Sequence, residues 1–227
     1  AEKTQFYNAY ANFYQGNYQM SSYLFQSFYA TYNNSPFAEE AYYMYAYSMY
    51  KDTPPYNLDQ TNTITAIDAL QTFINSYPDS KYSDNCSRNL QDLRERLERK
   101  AYEKAKLYFK TRDPSWGGLS NYLASVVTIE NFKKDFPDSR YNEELSAMQI
   151  TAQYELADLS LFNKQRERYT ETLTFYEKFV DKYPNSKYIK DLEKYYDKSQ
   201  KGLEKVAEIE KKIEELKKQA EEEKEVK

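Results

Sequence analysis

The sequence predicts an all-α fold in which antiparallel helix pairs stack into a superhelical array, an α-solenoid. Its 227 residues are 40% hydrophobic and 30% charged, which is enough to bury a core within one extended domain. Only four residues are glycine. Because tight hairpin turns and phosphate-binding loops need residues that tolerate positive φ, hairpin-rich β folds and nucleotide-binding loops are disfavoured. The third observation behind this prediction is an internal repeat.

One short pattern occurs four times along the chain. It reads aromatic, three residues, aromatic, proline or polar, polar, serine, any residue, aromatic. The copies are residues 28–37 (FYATYNNSPF), 73–82 (FINSYPDSKY), 132–141 (FKKDFPDSRY) and 179–188 (FVDKYPNSKY). Self-similarity of this kind is typical of repeat architectures built from helical hairpins.

Each copy predicts the end of one helix, a turn and the start of the next. In the second copy, Pro78 cannot continue the first helix. Asp79 and Ser80 are expected to cap the following helix with their side-chain oxygens. In the first copy, Pro36 is expected at the preferred first helical position. The acidic residues that follow each turn would complement the helix dipole rather than form paired catalytic carboxylates; they are Glu39, Glu40, Asp84, Glu143, Glu144 and Asp191.

The hydrophobic periodicity between these turns predicts helices along most of the chain. They cover residues 3–15, 18–32, 36–50, 61–77, 81–111, 118–135, 140–162, 165–182 and 187 onward. The copies begin 45, 59 and 47 residues apart, more than the roughly 34 residues of a bare two-helix repeat. Breaker-rich loops at 51–62 and 112–118 account for part of the excess.

Two regions of different composition follow from this pattern. Residues 1–200 are expected to form the repeat array, with four to five helical hairpins. Residues 201–227 are dense in lysine and glutamate and are expected to form a charged C-terminal helical extension. A solvated helix that continues the last repeat is favoured there, and a seam for a partner helix is the alternative.

Composition excludes several classes of function. The chain has no histidine, the commonest general base and metal ligand, and we predict no catalytic residue, cofactor or metal site. The single cysteine, Cys86, is expected to be a buried thiol on a helix face rather than a reactive one. The net charge is −4 without a basic face, so nucleic acid is not an expected partner. No apolar run approaches the roughly 20 residues that span a bilayer.

Tyrosine is the outlier of the composition, with 26 residues. Five of them lie within three turns of the predicted third helix and cannot all face one core: Tyr42, Tyr43, Tyr45, Tyr47 and Tyr50. Tyrosine gives a large contact area at low entropic cost, which suits extended apolar-aromatic peptides. The alternative is that the rings fill helix interfaces and leave their hydroxyls wet. The candidate peptide-binding residues are Tyr7, Tyr10, Tyr14, Tyr43, Tyr47 and Tyr50.

The helix before the second turn has the small, large and aromatic spacing of tetratricopeptide repeats, in Ala66, Leu70, Phe73 and Pro78. As an architecture, this resemblance covers about nine-tenths of the chain. Longer segments narrow it: 6–18 (FYNAYANFYQGNY), 38–50 (AEEAYYMYAYSMY), 73–80 (FINSYPDS), 93–109 (LRERLERKAYEKAKLYF) and 131–144 (NFKKDFPDSRYNEE). Together they resemble the BamD family, the tetratricopeptide lipoproteins of the outer-membrane β-barrel assembly machinery (the BAM complex).

The resemblance implies a periplasmic protein, tethered to the inner leaflet of the outer membrane of a Gram-negative bacterium. The tether would be a lipidated N-terminal cysteine, and no cysteine precedes Ala1 in this sequence. In the family, C-terminal repeats dock on the periplasmic POTRA domains of the barrel subunit BamA, and N-terminal repeats meet unfolded barrel proteins. By that analogy, 81–196 is the scaffold side and 6–50 the client side. The candidate docking residues are Arg94, Tyr102, Tyr108, Arg112 and Trp116. For Trp116, in the loop 112–118, the alternative is a core residue that covers the helix pair.

Two other functions compete with this interpretation. The first is another periplasmic tetratricopeptide adaptor, either for envelope coordination of the Tol-Pal type or for a chaperone. The second is an enzyme with a helical-repeat fold, such as a lytic transglycosylase that acts through one glutamate. Such an enzyme would normally carry a second, compact catalytic domain, for which the repeat pattern leaves no room.

Overall fold

In the computed structural model, residues 1–113 and 119–225 are described, with side chains described up to residue 221. This part of the chain is all-α, as predicted, and contains no strand. Its nine helices are α1 (Glu2–Tyr14), α2 (Tyr18–Thr31), α3 (Ala38–Lys51), α4 (Thr61–Ser76), α5 (Ser83–Lys110), α6 (Ser120–Asp135), α7 (Asn142–Asp158), α8 (Phe162–Lys182) and α9 (Ile189–Glu225).

The four repeat copies form the same turn, and a serine hydroxyl organises each one. The Oγ atoms of Ser35, Ser80, Ser139 and Ser186 each accept a hydrogen bond from the backbone N–H two residues later, over 3.1 to 3.2 Å. The next helix begins three residues after each serine, two residues later than predicted. The serine therefore bonds inside the turn, and no side chain caps the first turn of α3 or α7. Pro36 likewise lies in the turn and not at the first position of α3.

The junction of α7 and α8 was also predicted wrongly, as a helix that continues to residue 162. The break falls at Ser160, in a stretch without glycine or proline. There the Ser160 hydroxyl donates to the carbonyl of Leu156. Gln165 Nε2 donates to the Ser160 carbonyl over 3.1 Å, and Arg168 donates to its hydroxyl. Side-chain hydrogen bonds, and not a helix-breaking residue, end α7.

The acidic residues predicted for the first helical turns are found there, in α3, α5, α7 and α9. Some of them also bind neighbouring elements. Glu39 accepts from the Ser80 hydroxyl over 2.6 Å, and Glu40 accepts from the Tyr10 hydroxyl. These carboxylates therefore join successive hairpins as well as complementing helix dipoles.

The described residues fall into two compact units, residues 1–100 and the described part of residues 101–227. In the first unit, α1 packs on α2, α2 on α3 and α3 on α4. Its core consists mainly of rings and aliphatic side chains with almost no exposure, among them Phe6, Phe25, Phe28, Leu70, Phe73 and Leu93. Cys86 belongs to this core and is fully buried, which confirms the prediction of a buried thiol.

In the second unit, α6 packs on α7, α7 on α8, and α9 on both α7 and α8. Its two small cores centre on Ile129, Phe132 and Leu145, and on Ile150, Phe179 and Leu192. None of the described helices is both long and apolar enough to cross a membrane.

Helix α9 continues without a break through the predicted boundary between residues 200 and 201. At Gly202 it passes so close to the ring of Tyr169 that an added Cβ would lie 2.7 Å from the ring carbons. Val206 is buried, and Glu210 forms an ion pair with Arg166 of α8. From residue 211 to 221 the side chains are exposed. The boundary at 200 stays a prediction, although α9 contacts α8 as far as Glu210.

Candidate binding surfaces

Two of the six predicted peptide-binding tyrosines are well exposed, and both lie on α1. Tyr7 is 60% exposed and Tyr14 is 80% exposed, while Phe6 of the same helix points into the core. Helix α2 adds two exposed side chains that the sequence analysis missed, Met20 and Tyr23. The helical periodicity of α2 could have predicted their exposure. Ser21, Phe25 and Phe28 lie on its buried face, so the residues away from that face are left to solvent.

Tyr43 lies in the core of the first unit and is only 9% exposed. Its ring stacks on that of Tyr82 at a centroid distance of 4.2 Å, and its hydroxyl donates to Asn85 Oδ1 over 3.2 Å. Burial raises the pKa of Tyr43 to about 12. Tyr43 therefore packs against the neighbouring rings inside the core and presents little surface to a peptide.

Tyr10, Tyr47 and Tyr50 are half-buried. Burial and the Glu40 carboxylate that accepts its hydroxyl raise the pKa of Tyr10 well above its usual range. The ring of Tyr47 lies between those of Tyr43 and Tyr50, at 5.6 and 5.9 Å. Tyr50 donates to Asp92 over 3.0 Å, and burial followed by that hydrogen bond raises its pKa. These three rings are partly accessible, and hydrogen bonds fix the hydroxyls of Tyr10 and Tyr50.

The remaining tyrosines of α3 face another side of the helix. The Tyr42 ring stacks on Tyr29 at 4.5 Å and on Tyr45 at 6.0 Å. Tyr29 and Tyr77 share a hydrogen bond between their hydroxyls at 3.2 Å. The five tyrosines of α3 thus occupy two faces, and the role of the predicted six in peptide binding stays a prediction.

The predicted docking residues are divided between the two units. Arg94 is exposed in the first unit and donates to Gln71. Tyr102 is buried in the second unit, where its ring stacks on Tyr141 at 4.0 Å and its hydroxyl donates to Glu144 over 2.9 Å. Trp116 lies outside the described residues.

Tyr108 lies in the last turn of α5, and Arg112 lies just after the helix ends. Arg112 Nε is 2.6 Å from Glu155 Oε2, and its guanidinium lies 3.6 Å from the centroid of the Phe109 ring. Tyr108 is half-buried, and its neighbour Leu107, which the sequence analysis did not single out, is 58% exposed. The assignment of these residues to docking stays a prediction.

A concave site that the sequence analysis missed lies between α6, α7 and α8. It is a pocket of about 330 Å³, lined by four lysines, two phenylalanines and the buried Gln149. A second pocket of about 220 Å³ shares Glu130 and Phe175 with it. No local sequence signal marks either pocket, because their lining residues come from three separate helices.

Helical hairpins joined by a repeated serine turn, with tyrosine-rich and charged surfaces, define a tetratricopeptide-repeat protein that works through binding. Residues 151–186 match the tetratricopeptide repeat family. Residues 1–117, more than half of the chain, match the family described as outer membrane lipoprotein, YfiO. The chain belongs to this YfiO family, which is the BamD family. No curated protein matches the chain in sequence.

The family match confirms the resemblance on which the sequence analysis relied. It makes the chain an outer membrane lipoprotein of the Gram-negative type, with a general role in the β-barrel assembly machinery. The tetratricopeptide match supports protein–protein interaction as its mode of action.

Proposed function

We propose that this protein is a non-catalytic scaffold at the periplasmic face of the outer membrane, held there by an N-terminal lipid anchor. It docks on the POTRA domains of the barrel subunit BamA and binds unfolded outer membrane proteins. The observation that carries the client-binding part is the set of exposed side chains on the first two helices: Tyr7, Tyr14, Met20 and Tyr23. A protein of this family is generally not an enzyme, and the chain has no histidine to serve as a general base.

The exposed side chains of α1 and α2 suit an unfolded barrel segment. Such a segment alternates apolar and polar residues, and tyrosine offers it a rigid apolar ring together with a hydroxyl for hydrogen bonds. The Tyr14 ring stacks on Tyr10, whose hydroxyl is fixed by Glu40. The client therefore meets rings that are already ordered, which lowers the entropic cost of binding.

The docking part of the proposal rests on the end of α5. Leu107 is an exposed aliphatic side chain next to Tyr108. Arg112 is held in place by Glu155 and by the Phe109 ring, so its position is fixed before a partner arrives. Tyrosine and arginine, as in Tyr108 and Arg112, are among the residue types that contribute most to protein interfaces.

Two binding measurements on the whole chain test the proposal. One uses purified POTRA domains of the BamA protein from the same bacterium, and the other a fluorescent peptide copied from a barrel strand. The Tyr7→Ser/Tyr14→Ser variant should weaken peptide binding by about thirtyfold or more and leave POTRA binding unchanged, because exposed aromatic anchors contribute about 1 kcal/mol or more each. Leu107→Ser should do the reverse.

Matched controls are Leu58→Ser in the first unit and Leu161→Ser in the second, both exposed aliphatic residues outside the proposed surfaces. Neither should change binding. If the intact, folded chain fails to bind POTRA domains, the docking assignment is wrong and the general periplasmic adaptor becomes the better interpretation. If the double tyrosine variant binds the peptide as well as the unsubstituted chain, the client site lies elsewhere.

A further inference from the structure

The pocket between α6, α7 and α8 has a strongly cationic lining. Lys133 and Lys134 come from α6, and Lys178 and Lys182 come from α8. None of the four forms an ion pair within the described part of the chain. The aromatic side chains of Phe175 and Phe179 lie beside these lysines in the same pocket.

Gln149 and Ser146 of α7 are buried polar residues of this pocket, and Gln149 is only 1% exposed. Lys133 Nζ donates to Gln149 Oε1 over 3.1 Å. Because an ammonium group can only donate, the amide oxygen must face Lys133 and the amide NH₂ must point away from it. That Nε2 atom has no acceptor among the described residues. A buried donor without an acceptor destabilises a protein unless a water molecule or a ligand supplies one.

The position of the lysines at helix ends does not account for this arrangement. Lys133, Lys134 and Lys182 lie in the last turns of α6 and α8, where cations complement the helix dipole. Lys178, however, lies a full turn before the end of α8. Lys133 is half-buried and bonds to a side chain of another helix instead of the carbonyls at the end of its own.

The electrostatics of Lys133 point the same way. Burial, followed by the positive charges of Lys182 and Lys178, lowers its pKa, against the opposing effect of Glu130. A half-buried ammonium beside two other cations is relieved by an anion that enters the pocket. Glu130 lines the same pocket and offsets part of the lysine charge, so the pocket keeps a net positive charge that favours an anion.

We propose that this pocket binds a carboxylate group of a peptide, which accepts hydrogen bonds from Lys133 Nζ and Gln149 Nε2. Lys178 and Lys182 add positive charge at the rim, and the half-buried Phe175 contacts the apolar side chain next to the carboxylate. The carboxylate comes from an aspartate or glutamate side chain or from a chain end. This site is separate from the proposed client and docking residues, and its test does not depend on them.

Four small probes distinguish the source of the carboxylate. Acetyl-Phe-Glu-amide carries a side-chain carboxylate, and acetyl-Phe-Gln-amide is its neutral counterpart. N-acetylphenylalanine carries a terminal carboxylate, and N-acetylphenylalaninamide is its neutral counterpart. Each is titrated into the ¹⁵N-labelled full chain, and binding is followed by the side-chain NH₂ resonances of Gln149, assigned by their loss in Gln149→Glu.

At least one carboxylate probe should shift these resonances and bind about tenfold or more tightly than its amide, because hydrogen bonds to a charged acceptor are the stronger ones. The Lys133→Met and Gln149→Glu variants should each weaken binding of that probe by about tenfold or more. In these variants, binding is measured from the resonances of neighbouring backbone amides. Gln149→Glu keeps the shape of the side chain and offers Lys133 an internal carboxylate, so it competes with the probe without opening a cavity. The control is Lys190→Met, an exposed lysine in the first turn of α9 outside this pocket, which should bind as the unsubstituted chain does.

Circular dichroism melting of each variant separates a loss of binding from a loss of folding. Equal binding of the acid and amide probes would overturn the proposal, as would unchanged binding in both folded pocket variants. A response of Gln149 to inorganic phosphate or to anionic lipid vesicles, with no response to any carboxylate probe, would also overturn it and assign the pocket to phosphate groups.

Discussion

The two units of the molecule use the same turn but fill the space between their helices differently. In the first unit, rings pack on rings: Phe6 alone contacts Tyr10, Phe25, Phe28 and Phe37 at centroid distances of 4.8 to 5.9 Å. In the second unit, ion pairs and buried amides take a larger share, as in Arg112–Glu155 and in Gln149. The repeat motif therefore determines where a hairpin ends, and the residues between the motifs determine what its surface can bind.

The largest expected difference concerns the phenylalanine that opens each repeat copy. Phe73 is fully buried in the first unit, and Phe132 is buried in the second. Replacing either by alanine should lower the free energy of unfolding by about 3–5 kcal/mol, since the ring leaves a cavity that its neighbours only partly fill. Urea denaturation measures the loss, and hydrogen exchange locates it.

The location of the effect sharpens the comparison. Phe73→Ala should reduce the protection of amides mainly within residues 1–100, and Phe132→Ala mainly within 101–225. If both variants reduce protection equally throughout the chain, the two units unfold together and their different packing has no separate energetic consequence.

The first unit, whose core is filled by aromatic rings, should lose stability at alkaline pH because its buried tyrosine hydroxyls ionise. Burial raises the pKa of Tyr43 to about 12, above the 10.0 of a free tyrosine. The unfolded chain then loses this proton at a lower pH than the folded chain, so the contribution is complete below pH 10 and is lost between pH 10 and about 12. The loss from this one group is at most about 3 kcal/mol.

Tyr43→Phe should therefore lose less stability than the unsubstituted chain between pH 10 and 12, although it begins about 1 kcal/mol lower because its bond to Asn85 is gone. Urea denaturation at several pH values measures both effects. Tyr7→Phe, at an exposed site, is the control and should leave the free energy of unfolding at neutral pH almost unchanged. Parallel curves for Tyr43→Phe and the unsubstituted chain would show that burial of Tyr43 does not govern its titration.

Local signals in the sequence account for most of the helices and for the family, but not for the sites. Proline and serine at fixed positions mark the repeat turns, so most helix ends fall within two residues of their prediction. Ser160 ends α7 through side-chain bonds that leave no such mark. Tyr43 and Asn85 lie 42 residues apart, and Lys133 and Gln149 lie 16 apart. Which tyrosine is buried and which amide lines a pocket depends on contacts between helices that periodicity alone does not determine.

The second unit, in which ion pairs take a larger share, should lose stability when one carboxylate is removed. Glu155→Gln keeps the shape of the side chain but removes the partner of Arg112, whose side chain is 18% exposed. A loss of about 1–2 kcal/mol is expected, because a partly buried guanidinium is left without its counter-charge. The control is Glu167→Gln, which breaks the exposed pair with Lys164 and should cost less than about 0.5 kcal/mol. Similar losses in the two variants by urea denaturation would contradict a special role for the half-buried pair.

The smallest expected signal comes from Cys86, which should not react at all in the folded chain. The thiol is fully buried in the core of the first unit, and burial raises its pKa to about 12, so the reactive thiolate is scarce at neutral pH. A thiol reagent such as dithionitrobenzoate should therefore label it only when the first unit opens. Phe73→Ala should accelerate this labelling by a hundredfold or more, in line with its loss of about 3–5 kcal/mol, whereas Phe132→Ala should leave it nearly unchanged. Rapid labelling of the unsubstituted chain would contradict the burial of Cys86. Equal acceleration of labelling by both variants would show that the first unit opens only together with the second.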